Sequence, residues 1–141
     1  MKTIMTLPLQ LLKDKSFWRF LVVGLLNTSL SLITIYTAKY FLNFGDVSAN
    51  VLGYLIGLIT SYSLNSRWTF EFGGKHNEAI KRFLISFLLS YIANIAVVLT
   101  CIHILQWNSY IAQALGMPTY TITNFLLSKH YTFKLSDTTH E

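Results

Sequence analysis

Four basic residues that flank apolar segments are the side chains best suited to binding a charged ligand. Arginine holds a phosphate through two parallel hydrogen bonds, and the aromatic residues Trp68 and Tyr131 stand next to these cations in the sequence. We predict that they bind the phosphate of an anionic lipid head group; the alternative is that they only anchor helix ends at a membrane face. The predicted phosphate-binding residues are Arg19, Arg67, Arg82 and Lys129.

Uncharged polar residues lie within the apolar segments, and several share a helix face. Ser86, Ser90 and Asn94 are spaced by four residues, and Asn27 and Ser31 form a similar pair. Such stripes line a hydrophilic path for a polar head group, or they supply interhelical hydrogen bonds worth about 0.6 kcal/mol each. The residues predicted to line a substrate path are Asn27, Ser31, Asn65, Ser90, Asn94 and Asn124.

The sequence contains no arrangement of residues typical of an enzyme or a metal site. The histidines are scattered, Cys101 is the single cysteine, and no two ligands are spaced for one metal ion. No Asp or Glu lies within an apolar segment, which argues against ion-coupled antiport through a buried carboxylate. We therefore predict no catalytic residue, no metal, no cofactor and no enzymatic activity.

The composition is that of an integral membrane protein. Apolar residues make up 52% of the 141 residues and charged residues only 12%, against about 25% charged residues in a soluble domain. The basic residues stand at the ends of apolar segments, which argues against a nucleic-acid interface. A helix needs about 20 apolar residues to cross the hydrocarbon core. Residues 20–38, 47–66, 83–105 and 109–128 meet that need and predict four transmembrane helices, with turns near 43–46 and 106–109 and a middle loop near 67–82.

The basic residues also predict the orientation and the domain organisation. Ten of the eleven Lys and Arg residues fall on one side of the four spans, and only Lys39 falls on the other. By the positive-inside rule both termini are cytoplasmic, and the chain is a multi-pass membrane protein. Residues 1–16 form an N-terminal segment, either a short interfacial helix or a disordered lead-in. Residues 17–135 form the membrane domain, and residues 136–141 form a short tail.

The membrane domain contains an internal repeat. Arg19-Phe20-Leu21 recurs 63 residues later as Arg82-Phe83-Leu84, and Trp68-Thr69-Phe70 recurs as Tyr131-Thr132-Phe133. We predict an all-α fold of two parallel helix-turn-helix repeats, residues 17–72 and 80–135. Gly53 and Gly57 form a GxxxG pattern that favours close helix packing, either inside the chain or in a homodimer.

These motifs resemble those of the GtrA-like family. The resemblance rests on Arg19-Phe20-Leu21-Val22-Val23-Gly24 with Asn27-Thr28, on the run 65–70, on Arg82-Phe83-Leu84 and on the run 124–133. It covers residues 17 to 135. It implies a small bacterial inner-membrane protein that moves a polyprenyl-phosphate-linked monosaccharide from the inner to the outer leaflet for cell-surface polysaccharide glycosylation.

The resemblance also implies partners and leaves a second function open. The expected partners are the polyprenyl-phosphate-linked sugar, membrane lipids and a membrane glycosyltransferase. The first hypothesis is a flippase for that lipid. The alternative is a non-transporting membrane subunit that recruits or stabilises the glycosyltransferase, with the GxxxG face of Gly53 and Gly57 and the basic middle loop as docking surfaces.

Overall fold

The structure is a computed structural model that describes residues 10–134. These residues form four long helices and no strand, which confirms the all-helical prediction. The helices are α1 (Lys15–Phe41), α2 (Asp46–Leu64), α3 (His76–Leu99) and α4 (Ser109–Leu127). Three of them continue into five-residue π-helical segments, which we name π1 (Asn65–Thr69), π2 (Thr100–Ile104) and π3 (Ser128–Thr132).

Polar caps define where two of the helices begin. The Asp14 carboxylate accepts a hydrogen bond of 2.9 Å from the Ser16 backbone N–H at the start of α1. The Asn108 side chain accepts one of 2.8 Å from the Tyr110 N–H at the start of α4. Each cap satisfies a backbone donor that the first helical turn leaves unpaired.

The chain divides into two units between Glu71 and Phe72, and each unit is a helical hairpin. In the first hairpin α1 packs on α2 and π1; in the second α3 packs on α4 and π3. A residue with a positive φ angle forms each tight turn, Asn43 at 53° and Gln106 at 56°. The turns close in the same way, because the Phe44 N–H bonds the Ala38 carbonyl at 3.1 Å and the Trp107 N–H bonds the Cys101 carbonyl at 2.9 Å.

The predicted middle loop near 67–82 is wrong over most of its length. Residues 67–69 belong to π1 and α3 begins at His76, so the link between the hairpins is residues 70–75. The prediction failed because it equated the helix with its apolar stretch. Backbone hydrogen bonding continues past the last apolar residue, and charged side chains are compatible with a helix once it leaves hydrocarbon.

Three helices are long and apolar enough to cross a membrane: Lys15–Phe41, Asp46–Thr69 and His76–Ile104. The fourth, Ser109–Leu127, has a suitable length, but Gln113, Asn124, several threonines and Pro118 make it more polar. The fourth span therefore stays a prediction. So do the orientation of the termini and the extent of residues 1–16 and 136–141, most of which lie outside the described residues.

Small residues form many of the contacts inside each hairpin, while most large apolar side chains are exposed. Ala49 and Ala112 are fully buried, and Gly53, Gly57 and Gly116 are buried as well. In contrast, Leu25 is 70% exposed and many other large apolar side chains are exposed. This inversion of the usual pattern is expected where lipid covers the outer surface and close backbone approach holds the helices together.

Candidate functional site

The predicted phosphate-binding cations lie at the end of each hairpin opposite its turn. We call these the charged ends. The first charged end comprises Arg19, Arg67, Trp68 and Glu71, and the second comprises Arg82, Lys129, Tyr131 and Lys134.

Arg19 is engaged by three groups at the first charged end. Its Nη1 donates hydrogen bonds to the Trp68 carbonyl at 2.8 Å and to the Glu71 Oε1 at 2.6 Å. Its guanidinium carbon also lies 5.6 Å from the centroid of the Trp68 ring, a cation–π distance. Helix α1 positions Arg19, and π1 with the residues that follow it positions the three groups. The sequence pairs Trp68 only with its neighbour Arg67, and it gave no indication that a carboxylate binds Arg19.

The ion pair changes the titration of Glu71. The hydrogen bond from Arg19, and then the charge of Arg19, hold the pKa of the Glu71 carboxyl below its ordinary value. Glu71 has a positive φ of 48°, so the chain turns sharply where it presents this carboxylate. A phosphate at Arg19 would have to displace Glu71 or use the remaining N–H donors of the guanidinium.

The second charged end repeats the cation and the aromatic ring but not the carboxylate. The guanidinium carbon of Arg82 lies 5.8 Å from the centroid of the Tyr131 ring. Its nearest acidic partner is Glu78, four residues earlier on α3, at 3.5 Å. A pair at that distance and exposure contributes little.

The other two predicted phosphate-binding residues are exposed on the π segments. Arg67 lies on π1 between the buried Ser66 and the exposed Trp68, and Lys129 lies on π3 next to the buried Ser128. The ammonium of Lys129 is 5.9 Å from the centroid of the Phe125 ring. Both cations therefore point outward from their hairpins at the charged ends.

In the first hairpin, Asn27 and Ser31 on α1 face the backbone of α2. A Cβ added to Gly57 would lie against the Ser31 hydroxyl and 2.9 Å from the Asn27 Oδ1. The Asn27 Oδ1 is buried and accepts no hydrogen bond from the residues that the structure describes. Gly53, one turn away, contacts Ile35 and the Ser31 carbonyl. The GxxxG residues thus bring α2 onto the polar stripe of α1.

Asn65 continues this polar surface at the start of π1. Its amide nitrogen donates a 3.2 Å hydrogen bond to the Ser61 hydroxyl. Its Oδ1 and the Thr69 hydroxyl are both buried, and neither has a hydrogen-bond partner within residues 10–134. The first hairpin therefore buries three polar oxygens that can still accept a hydrogen bond.

The second hairpin carries the corresponding polar surface on α3 and α4. Asn94 lies against Gly116, since a Cβ there would be 2.7 Å from the Asn94 Oδ1. Ser90 is fully buried and donates to the Ser86 carbonyl at 2.6 Å. The Asn124 amide nitrogen donates to the Tyr120 hydroxyl at 3.4 Å, and the buried Asn124 Oδ1 has no partner in the described part of the chain.

Sequence reasoning missed two features of these ends. One is Glu71, whose contact with Arg19 joins positions far apart in the chain. The other is a hydrogen bond of 2.8 Å between the buried hydroxyls of Ser86 and Thr132. The recurrence of Thr69 as Thr132 pointed to this position, but a threonine in an aromatic motif does not by itself indicate a partner.

No group of His, Cys, Asp and Glu within the described residues is arranged to hold a metal ion. The chemistry that these ends support is hydrogen bonding and charge neutralisation of an anionic, hydroxyl-bearing ligand. Cations lie at the charged ends, and buried acceptor oxygens lie further along the same hairpins.

Comparison with known proteins gives this chain a family. It is 24% identical over 124 residues to the cell wall teichoic acid glycosylation protein GtcA of Listeria monocytogenes, a match that covers 85% of this chain and 86% of that protein. No solved structure matches the chain. The family model of the GtrA/DPMS transmembrane domain matches residues 19–133, from the first predicted cation to the aromatic motif that closes the second hairpin. The chain is a membrane protein that belongs to the GtrA/DPMS transmembrane domain family.

Proposed function

We propose that this protein moves a polyprenyl-phosphate-linked monosaccharide across the bacterial cytoplasmic membrane for glycosylation of a cell-surface polymer. One observation carries the proposal. Each hairpin has an arginine packed on an aromatic ring at its charged end and, further along, at least one buried amide oxygen with no hydrogen-bond partner within residues 10–134. A head group with a phosphate followed by sugar hydroxyls has the complementary chemistry.

The proposal includes the arrangement in the membrane. All four helices span it, the two hairpins are parallel repeats, and both charged ends face the cytoplasm together with the termini. The positive-inside rule supports this orientation. The phosphate is then captured from the cytoplasmic leaflet by cations at the charged ends.

The polar residues of the hairpins lower the free-energy cost of moving the sugar head group through the hydrocarbon core. An unpaired polar group in hydrocarbon costs several kcal/mol, so a sugar crosses only if its hydroxyls are paired. The oxygens of Asn27, Asn65 and Asn124 are buried acceptors that a hydroxyl can satisfy. Ser31, Ser90 and Asn94 extend the path, and the prenyl tail stays in lipid.

The family and the Listeria relative support the type of pathway, because that relative acts in glycosylation of cell wall teichoic acid. The protein does not catalyse the glycosylation. A membrane glycosyltransferase uses the sugar on the outer side, and that consumption drives net movement.

Sealed vesicles containing a polyprenyl-phosphate monosaccharide test the proposal. The measurement is the rate at which the sugar becomes accessible across the bilayer, with empty vesicles as background. We expect fast movement with the wild-type chain and movement at background in the Arg19→Ala/Arg82→Ala double variant. Lys39→Ala is the matched control, because Lys39 is a cation at the opposite end of α1 paired with Asp46.

Movement at the empty-vesicle rate from folded wild-type protein contradicts the proposal and favours the non-transporting subunit. Gly53 and Gly57 are then not the docking surface of that subunit, because both contact α1 within the first hairpin. Wild-type rates in the double variant leave transport standing but contradict phosphate capture by the two arginines.

A further inference from the structure

The two charged ends tie a helix to its π segment by different bonds. In the first hairpin a cation makes the tie: Arg19 donates to the Trp68 carbonyl on π1 and to the Glu71 carboxylate just after π1. In the second hairpin the bond is neutral, since the Ser86 and Thr132 hydroxyls share a 2.8 Å hydrogen bond. Both hydroxyl residues are fully buried, so this bond is shielded from water.

One side-chain difference explains why the bonds differ. Ser86 and Thr132 correspond, 63 residues earlier, to Val23 and Thr69. Val23 is fully buried like Ser86 but offers no hydrogen-bonding group. The Thr69 hydroxyl consequently has no partner among the described residues. Without a hydroxyl pair, the link between α1 and π1 depends on Arg19.

The two charged ends therefore differ in the positive charge that can bind an anion. Arg19 is neutralised by Glu71 across the hairpin, at 2.6 Å. The position that corresponds to Glu71 in the second hairpin is Lys134, which is exposed. Arg82 has Glu78 at 3.5 Å on its own helix, and Lys129 is exposed on π3. The second charged end thus carries an excess of cations, and its arginine is not needed as a tie.

We infer that the phosphate of the lipid head group binds at the second charged end, through Arg82, whereas Arg19 is a positioning residue that holds π1 on α1. This inference rests on the proposed function for the identity of the lipid. It assigns different roles to two arginines that occupy equivalent places in the sequence. Glu71 and Glu78 are the carboxylates that face the two sites: Glu71 lies 2.6 Å from Arg19 across the hairpin, and Glu78 lies 3.5 Å from Arg82 on the same helix.

Equilibrium binding of polyprenyl phosphate to the full chain in nanodiscs of neutral lipid tests the inference. This probe has the phosphate as its sole polar group, and polyprenol is the uncharged control. We expect Arg82→Gln to weaken binding by about 10- to 100-fold, the value of a lost charge-assisted hydrogen bond. Arg19→Gln leaves the dissociation constant nearly unchanged but lowers the thermal unfolding temperature.

Two further variants distinguish the assigned roles from simple misfolding: one is read out by binding and the other by thermal stability. Arg82→Lys keeps a cation at the site but loses bidentate geometry, so it binds more weakly than wild type and more tightly than Arg82→Gln. Adding Val23→Ser to Arg19→Gln supplies Thr69 with the hydroxyl partner found in the second hairpin. We expect that addition to recover part of the lost thermal stability.

Equal loss of binding in Arg19→Gln and Arg82→Gln overturns the inference, as does unchanged binding in folded Arg82→Gln. Competition by phosphatidylglycerol as effective as that by polyprenyl phosphate also overturns it, because the cations then only anchor the protein among anionic lipids. A different result would contradict the proposed function without contradicting this inference. If Arg82-dependent binding occurs in a protein that moves no lipid-linked sugar, transport is wrong and the binding site stands.

Discussion

Gly116 on α4 lies so close to Asn94 on α3 that a Cβ on the glycine would be 2.7 Å from the Asn94 amide oxygen and 2.6 Å from Val98. The corresponding pair in the first hairpin is Gly53 with Ser31, where a Cβ would lie 3.0 Å from the Ser31 carbonyl oxygen. The glycines therefore set how closely each helix approaches the polar stripe of its neighbour.

This contact predicts the effect of Gly116→Ala. The added methyl group must push against Val98 and Asn94, which costs about 1 to 3 kcal/mol of stability. Gly24→Ala is the matched control, because no atom lies within 4 Å of a Cβ there; relief of glycine's entropy cost makes it neutral or stabilising by up to about 1 kcal/mol. Unfolding by a denaturing detergent gives both values. Equal stability of the two variants would contradict the close approach.

The Ser86–Thr132 bond predicts a non-additive pair of substitutions. Ser86→Ala leaves the buried Thr132 hydroxyl unpaired and costs about 1 to 3 kcal/mol. Thr132→Val leaves Ser86 unpaired in the same way. The double variant removes both polar groups, so it costs less than the sum of the single variants. The free energy of unfolding of the four proteins measures the coupling. Strict additivity would show that the hydroxyls do not depend on each other.

The Arg19–Glu71 ion pair predicts a pH-dependent contribution to stability. Because the pKa of Glu71 is lowered in the folded state, its contribution is present above the ordinary glutamate pKa of about 4.3. It is lost as the pH falls through the lower, folded-state pKa. We expect wild type to be more stable than Glu71→Gln at neutral pH, with the difference disappearing in acid. Thermal unfolding across that range checks it, and a difference that persists in acid would rule out the carboxylate as its source.

The unpaired Asn27 oxygen predicts a substitution that separates transport from folding. Asn27→Leu keeps the branched shape of the side chain and removes a buried acceptor, so the cost of the larger methyl groups against Gly57 is partly offset and stability stays within about 1.5 kcal/mol of wild type. Sugar movement in vesicles falls, because a hydroxyl loses its acceptor in the path. Thr28→Val is the control, since the exposed Thr28 hydroxyl bonds the Gly24 carbonyl of its own helix at 3.0 Å. Parallel loss of stability and transport in Asn27→Leu would assign Asn27 to packing instead.

The predictable part of this protein follows from local properties of the chain. Apolar length predicted the helices, and polar residues near 43–46 and 106–109 predicted the turns between α1 and α2 and between α3 and α4. The repeated Arg-Phe-Leu and aromatic-Thr-Phe motifs indicated that Arg19 and Arg82 occupy equivalent places. The predictions failed at the middle loop, because charge marks where a helix leaves hydrocarbon and not where its hydrogen bonds end.

The amino-acid sequence by itself determined that the chain is a helical membrane protein, where its cations lie and which polar residues share a helix face. These are properties of composition and of the 3.6-residue period. Only the tertiary structure decided that Arg19 pairs with Glu71 and that Ser86 pairs with Thr132. Those contacts join residues 46 or more positions apart. They depend on how closely the helices of a hairpin approach, which glycine and alanine permit but which no local pattern encodes.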